Sequence, residues 1–336
     1  SVDNVNEAIT YLDEALEIDN LYPVALAELC RAYFMLYRLN PEGEAIALAE
    51  GACAQANTVA PRLPLVLNNT AYLYAHTGRL DEATTIYQQA LTINAQDAVA
   101  MRGLAQIWRR QQRFDEAEEL MQQAIHLQPG NWSTINSLGN MYFAYGRFDD
   151  AIAEYKKVVY LDPQNHVTLG NLASAGMMLG NFEVARDALQ ESIAIEENAT
   201  FRANLGIAYY YLGNFNASIV EHERAVELAP AAAANWIGLA DALHASGDEE
   251  AAHEAYEIAM VLAQEQLNIS ADDIESLSYL AWATAKTGDI DTAQEHAERM
   301  IEMDPADPYS HYYDALVKLE AGDVDAAMNA LEPVSY

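Results

Sequence analysis

One stretch constrains this chain more than any other: Gly146-Arg147-Phe148-Asp149-Asp150-Ala151. It recurs as Gly78-Arg79-Leu80-Asp81-Glu82-Ala83, Gln112-Arg113-Phe114-Asp115-Glu116-Ala117 and Gly180-Asn181-Phe182-Glu183-Val184-Ala185. Shorter copies open at Gly213, Gly247, Gly288 and Gly322, and successive copies start 34, 34, 34, 33, 34, 41 and 34 residues apart. A fixed period of this size marks a solenoid of stacked units, each too small to bury a core alone.

The chemistry of the stretch predicts a helix–turn–helix elbow. Glycine just beyond a helix takes the left-handed conformation that caps the C-terminus. The acidic pair then falls in the first turn of the next helix, where the positive end of the dipole favours it. Alanine follows, small enough for two helices to approach closely. Between elbows, apolar residues recur at three and four positions, which is a helical face and not a strand. Pro129, Pro163 and Pro230 stop the second helix of their pairs.

These spacings predict one N-terminal half pair, from Asn4 to Ile18, followed by about nine helix pairs. The chain reads as a single solenoid over 1–336, with irregular repeats over 1–61 and regular ones over 62–230. The C-terminal repeats, 231–336, contain a longer connection near 262–271. The elbow at Arg38-Leu39-Asn40-Pro41-Glu42-Gly43 is longer than the others, and Pro333 is expected to cut the last helix short. Because the chain opens inside a repeat, at Ser1, a fragment of a longer protein is expected.

Net charge is −34, from 51 acidic and 17 basic residues. A nucleic-acid ligand is excluded on this ground, because its backbone needs lysine and arginine to displace counterions. A solvated, soluble surface accounts for most of the charge. With 51% hydrophobic residues but no long apolar run, no membrane span is expected. The two cysteines, Cys30 and Cys53, lie on neighbouring helices. A bridge between them is conceivable, but free buried thiols are the expectation.

The combination of period, Leu-small-aromatic first helices such as Leu138-Gly139 with Tyr142, paired alanines in second helices and a closing proline resembles the tetratricopeptide repeat family. The resemblance covers nearly the whole chain. Val158, Ser192, Met300, Ser218, Glu197, Gln264 and Gln112 depart from the pattern locally. It implies an all-α, right-handed superhelix of antiparallel helix pairs, with first helices lining a concave groove. It also implies a scaffold that binds peptides or partner segments there.

Helical spacing from the small residue then predicts the groove lining. Asn69, Asn171 and Asn204 share one repeat position, with Asn68 and Asn136 one residue earlier and Asn140 one after the small residue. An asparagine amide matches a peptide main chain whatever its side chains. The arrangement is similar to the asparagine ladder in the repeats of O-linked N-acetylglucosamine transferase. The competing reading is polar surface plus hydrogen bonding between helices. Arg102 and Arg109, with Arg110 and Arg113, form a basic cluster that could hold a partner carboxylate or pair internally. Tyr211, Tyr279, Trp282 and Tyr312, with Tyr210, Tyr309 and Tyr313 nearby, read either as aromatic anchors for a partner or as a surface that packs against further C-terminal residues.

Nothing in the chain matches a phosphate loop, a zinc motif or a nucleophile elbow. His244 and His253 straddle one elbow without metal-ligand spacing. The expectation is a non-catalytic protein-interaction scaffold without metal or cofactor, its partner an unidentified protein or peptide. The alternative is a regulatory or sensor module of a larger bacterial signalling protein, whose kinase, cyclase or DNA-binding domain lies upstream. A cytoplasmic location is preferred to a periplasmic one.

Overall fold

A computed structural model describes residues 2–41 and 44–332. Glu42 and Gly43 of the first elbow, and Pro333, lie outside the described residues. Every regular element is an α-helix, and no strand occurs among the described residues.

The chain divides into two units, Ser1–Asp162 and Pro163–Tyr336. The first contains α1 (Val2–Ile18) and four pairs: α2 (Pro23–Leu39) with α3 (Ala45–Val59), α4 (Pro64–His76) with α5 (Leu80–Ile93), α6 (Ala98–Arg110) with α7 (Phe114–Leu127), and α8 (Trp132–Ala144) with α9 (Phe148–Leu161). The second contains five: α10 (His166–Leu179) with α11 (Phe182–Ile195), α12 (Ala199–Tyr211) with α13 (Phe215–Leu228), α14 (Ala233–Ser246) with α15 (Glu249–Ile269), α16 (Ile274–Lys286) with α17 (Ile290–Met303), and α18 (Pro308–Glu320) with α19 (Val324–Leu331). The half pair and the nine pairs expected from the period are therefore present.

The elbows form as their composition dictates. Gly146 takes φ +70°, and the Arg147 N–H beyond it closes on the Tyr142 carbonyl at 2.9 Å. Gln112, which replaces glycine, adopts the same left-handed region at φ 59° and keeps the same closing bond, Arg113 to Trp108, at 2.9 Å. The helical context thus overrides the residue's own preference against this conformation. Elbow arginines lie over the aromatic ring of the preceding helix: Arg79 is 3.6 Å from the Tyr74 centroid and Arg147 is 4.3 Å from that of Tyr142. Where asparagine or aspartate replaces arginine, as at Asn181, Asn214 and Asp289, the side chain instead caps the next helix through a backbone N–H.

Alanines Ala83, Ala117, Ala151 and Ala185 have no exposed surface and sit where helices touch. Ser218 takes this place in α13 without loss, because its hydroxyl donates to the Gly206 carbonyl at 2.8 Å. The seven additional residues after Val261 lengthen α15 to 21 residues, and Ala263 and Leu267 carry the core along it to Leu277.

One expectation is overturned. Cys30 and Cys53 are not free thiols but a disulfide joining α2 to α3, with Cα atoms 5.0 Å apart. Their stacked helices bring the two sulfurs within bonding reach, a proximity that sequence spacing cannot supply. No described helix is long and apolar enough to cross a membrane.

Candidate functional site

The expected site residues fall into two groups. In the first unit they are occupied within the fold. The Asn69 amide is buried and donates to the Ala27 carbonyl of α2 at 2.8 Å. That of Asn68 is buried too and donates to Asp97 at 2.9 Å, while Asp97 also caps α6. Asn140 accepts from the Tyr155 hydroxyl at 2.7 Å. Arg102 donates to Ser133 at 2.9 Å, and burial holds its pKa below the usual guanidinium range. Arg110 donates to the Ala75 carbonyl at 2.8 Å, Arg113 pairs with Glu116, and Arg109 and Asn136 are half-buried. Hydrogen bonding between helices is therefore what Asn68, Asn69 and Asn140 visibly do.

In the second unit, four first helices, α12, α14, α16 and α18, enclose a cavity of 870 Å³. Here the structure brings together Asn204, Tyr211, Tyr279, Trp282 and Tyr312, five of the residues expected from sequence. Asn171 lies half-buried on α10, outside this lining. Tyr211 and Tyr312 are 58% and 46% exposed, so aromatic surface is open to a ligand. Tyr211 is held by stacking on Phe182, with ring centroids 4.5 Å apart, and Tyr312 by an edge contact to Tyr313 at 5.5 Å.

Two carboxylates share the cavity. Asp241 Oδ1 accepts from the Trp282 indole at 2.8 Å and from the Tyr256 hydroxyl at 2.5 Å. Burial raises the Asp241 pKa above the usual carboxylate range, and these two hydrogen bonds, with Lys286, act against the rise. Glu275 is exposed and accepts from the Tyr279 hydroxyl at 2.5 Å. Burial raises the phenol pKa values of Tyr210, Tyr279, Tyr312 and Tyr313, so all four hydroxyls keep their protons near neutrality.

At the cavity's inner end is His222 of α13, only 3% exposed. It occupies the second-helix position that Tyr87, Tyr155 and Tyr256 take elsewhere. Its ring fits because Gly206 and Gly238 have no side chain: a Cβ on either would come within 2.6 Å of it. The Tyr155 and Tyr256 hydroxyls reach Asn140 and Asp241, but the shorter imidazole leaves Nδ1 buried and unpaired. Burial lowers its pKa to about 4, so the ring is neutral.

Sequence reasoning missed Asp241, Glu275 and His222. A signal for the first existed. Asp241 and Trp282 each follow the small residue of their helix, Ala240 and Ala281, as Asn140 follows Gly139. The position already holds two expected groove residues, Asn140 and Trp282, so the same spacing marks Asp241. His222 carries no such signal, since its repeat position is ordinarily core. No group of three potential metal ligands occurs among the described residues.

Family models described as tetratricopeptide repeat match residues 74–138, 133–165, and 203–264 with 280–332. Comparison with curated proteins finds no match. Among solved structures, the chain is similar to the C-terminal part of a TPR repeat-containing protein from Cytophaga hutchinsonii. That likeness has 18% identity and a TM-score of 0.54, covering 72% of this chain and 97% of that one. It is also similar to MamA protein at 24% identity and a TM-score of 0.49, covering 52% of this chain and 95% of that one. Such identities speak to fold alone. With the elbow geometry, the paired helices and these repeat matches in agreement, the chain belongs to the tetratricopeptide repeat family, whose architecture is that of a protein-interaction scaffold.

Proposed function

We propose that this protein is a non-catalytic scaffold that holds an extended segment of a partner protein in the cavity of its second unit. The observation that carries this is the convergence of Asn204, Tyr211, Tyr279, Trp282 and Tyr312 from four successive first helices on one 870 Å³ space. Aromatic side chains provide large contact area at low entropic cost, and the Asn204 amide matches a peptide main chain. The structural relatives show how the helices stack and say nothing about what this cavity holds. An oxidising compartment suits the scaffold, because the Cys30–Cys53 bond persists where thiols are not kept reduced.

A displayed library of random peptides, selected on the immobilised protein, tests the proposal. Selected peptides are expected to lose binding by about tenfold or more to Tyr211→Ala/Tyr312→Ala, in keeping with aromatic anchors at interface hot spots. A library that yields no enriched peptide, or peptides indifferent to this double variant, removes the cavity as the binding site.

A further inference from the structure

We propose that this cavity selects a lysine or arginine side chain of the bound segment, its aliphatic stem against the aromatic walls and its cationic head toward Asp241 and Glu275. The inference rests on the peptide-binding reading above and adds its selectivity.

Charge is the first ground. The lining contains Asp241 and Glu275 and, among the described residues, no lysine or arginine. Lys286, its side chain only 9% exposed, acts on Asp241 through charge but has Glu320 at 3.2 Å and His244 at 3.0 Å as its own polar partners. Both intramolecular donors to Asp241 end on one oxygen, Oδ1. A carboxylate has a second oxygen with lone pairs of its own. An incoming cation would also offset the desolvation of this group.

The walls are the second ground. Tyr210, Tyr211, Tyr279, Trp282 and Tyr312 present ring faces whose quadrupole attracts cations and repels anions. Lys286 already makes such a contact at this wall, its Nζ 5.3 Å from the Trp282 ring centroid. Lysine and arginine stems bury against apolar surface while the head keeps polar partners.

Hydrogen-bond sense is the third. Ammonium and guanidinium groups only donate. The neutral His222 ring lines the cavity with Nδ1 buried and unpartnered, and in the tautomer protonated at Nε2 that nitrogen is an acceptor. Two carboxylates and a neutral imidazole thus match a donor-only head. A ligand carboxylate would meet like charge.

The test is a series of labelled extended peptides, identical except for Lys, Arg, Gln or Glu at one central position, titrated by fluorescence anisotropy at physiological salt. Lys and Arg peptides are expected to bind at least about tenfold tighter than the Gln peptide, and the Glu peptide weakest. Glu275→Gln and Asp241→Asn should each cut the Lys-over-Gln preference by about threefold or more. Glu254→Gln removes the same charge from an exposed position on α15 and should leave that preference intact. Circular dichroism of each variant confirms the fold, and Glu275, being exposed, gives an answer even if Asp241→Asn unfolds. Equal affinity for Lys and Gln peptides, or an equal loss in Glu254→Gln and Glu275→Gln, overturns the cation selectivity while leaving a peptide groove. Failure of every peptide to bind, or binding unaffected by Tyr211→Ala/Tyr312→Ala, defeats both readings.

Discussion

The Trp282 indole donates to Asp241 at 2.8 Å, joining first helices 41 residues apart in sequence. The same oxygen accepts from Tyr256 of α15. One half-buried carboxyl group therefore ties three helices together at the wall of the cavity. Trp282→Phe keeps the shape but removes one donor from an already desolvated acid. The expected loss is about 1.5–3 kcal/mol, the range for hydrogen bonds to charged groups. It should appear as a lower urea midpoint, and an unchanged midpoint would show the bond to be idle.

Gly238 and His222 are fitted to each other. A Cβ on Gly238 would lie 2.3 Å from the imidazole Cε1, inside any real contact. Gly238→Ala should therefore destabilise by about 1–3 kcal/mol through overpacking. His222→Ser in the same chain makes room and should recover most of the loss. A double-mutant cycle of denaturation midpoints reads the coupling directly, and simple additivity would refute the steric account.

His222 also gives stability a pH dependence of known sign. Burial lowers its pKa from 6.5 to about 4, so an unfolded chain takes up this proton before the folded one does. The contribution is complete above the unfolded value, declines as pH falls through the window between the two, and levels off below the folded one. Its full size is about 3 kcal/mol, from the energy equivalent of a pKa difference. His222→Gln should flatten the fall in melting temperature between about pH 6.5 and pH 4 relative to wild type. Parallel curves would mean the imidazole is not held neutral.

The Cys30–Cys53 bond spans 23 residues of sequence. A cross-link closing a loop of that order stabilises by about 3 kcal/mol in the chain-entropy account. Reductant, or Cys30→Ala/Cys53→Ala, should accordingly lower the melting temperature. Thiol titration of the denatured, unreduced protein should find no free cysteine; two would show that the bond does not form.

Much of the architecture was legible because its determinants are local. An elbow glycine, an acidic first turn and a small residue at the crossing act within a few neighbours, so the period of Gly78, Gly146 and Gly180 already marks the helix ends. Even Gln112 follows the elbow pattern set around it. The aromatic part of the cavity lining was legible for the same reason: helical spacing alone places Tyr279 and Trp282 on one face of α16.

What each polar side chain does was decided by residues tens of positions away. Asn69 and Asn204 share a repeat position, yet one donates to the Ala27 carbonyl while the other lines a cavity. Cys30 and Cys53 lie on adjacent helices, but only the packing of α2 on α3 brings their sulfurs together. Asp241 and Glu275 resemble many other acids on an acidic surface until stacked helices set them among tyrosines. The sequence by itself determined where helices begin, end and turn, since those depend on near neighbours. Tertiary structure alone decided which side chains are spent inside the fold and which line an open cavity, because burial and pairing arise only when distant helices meet.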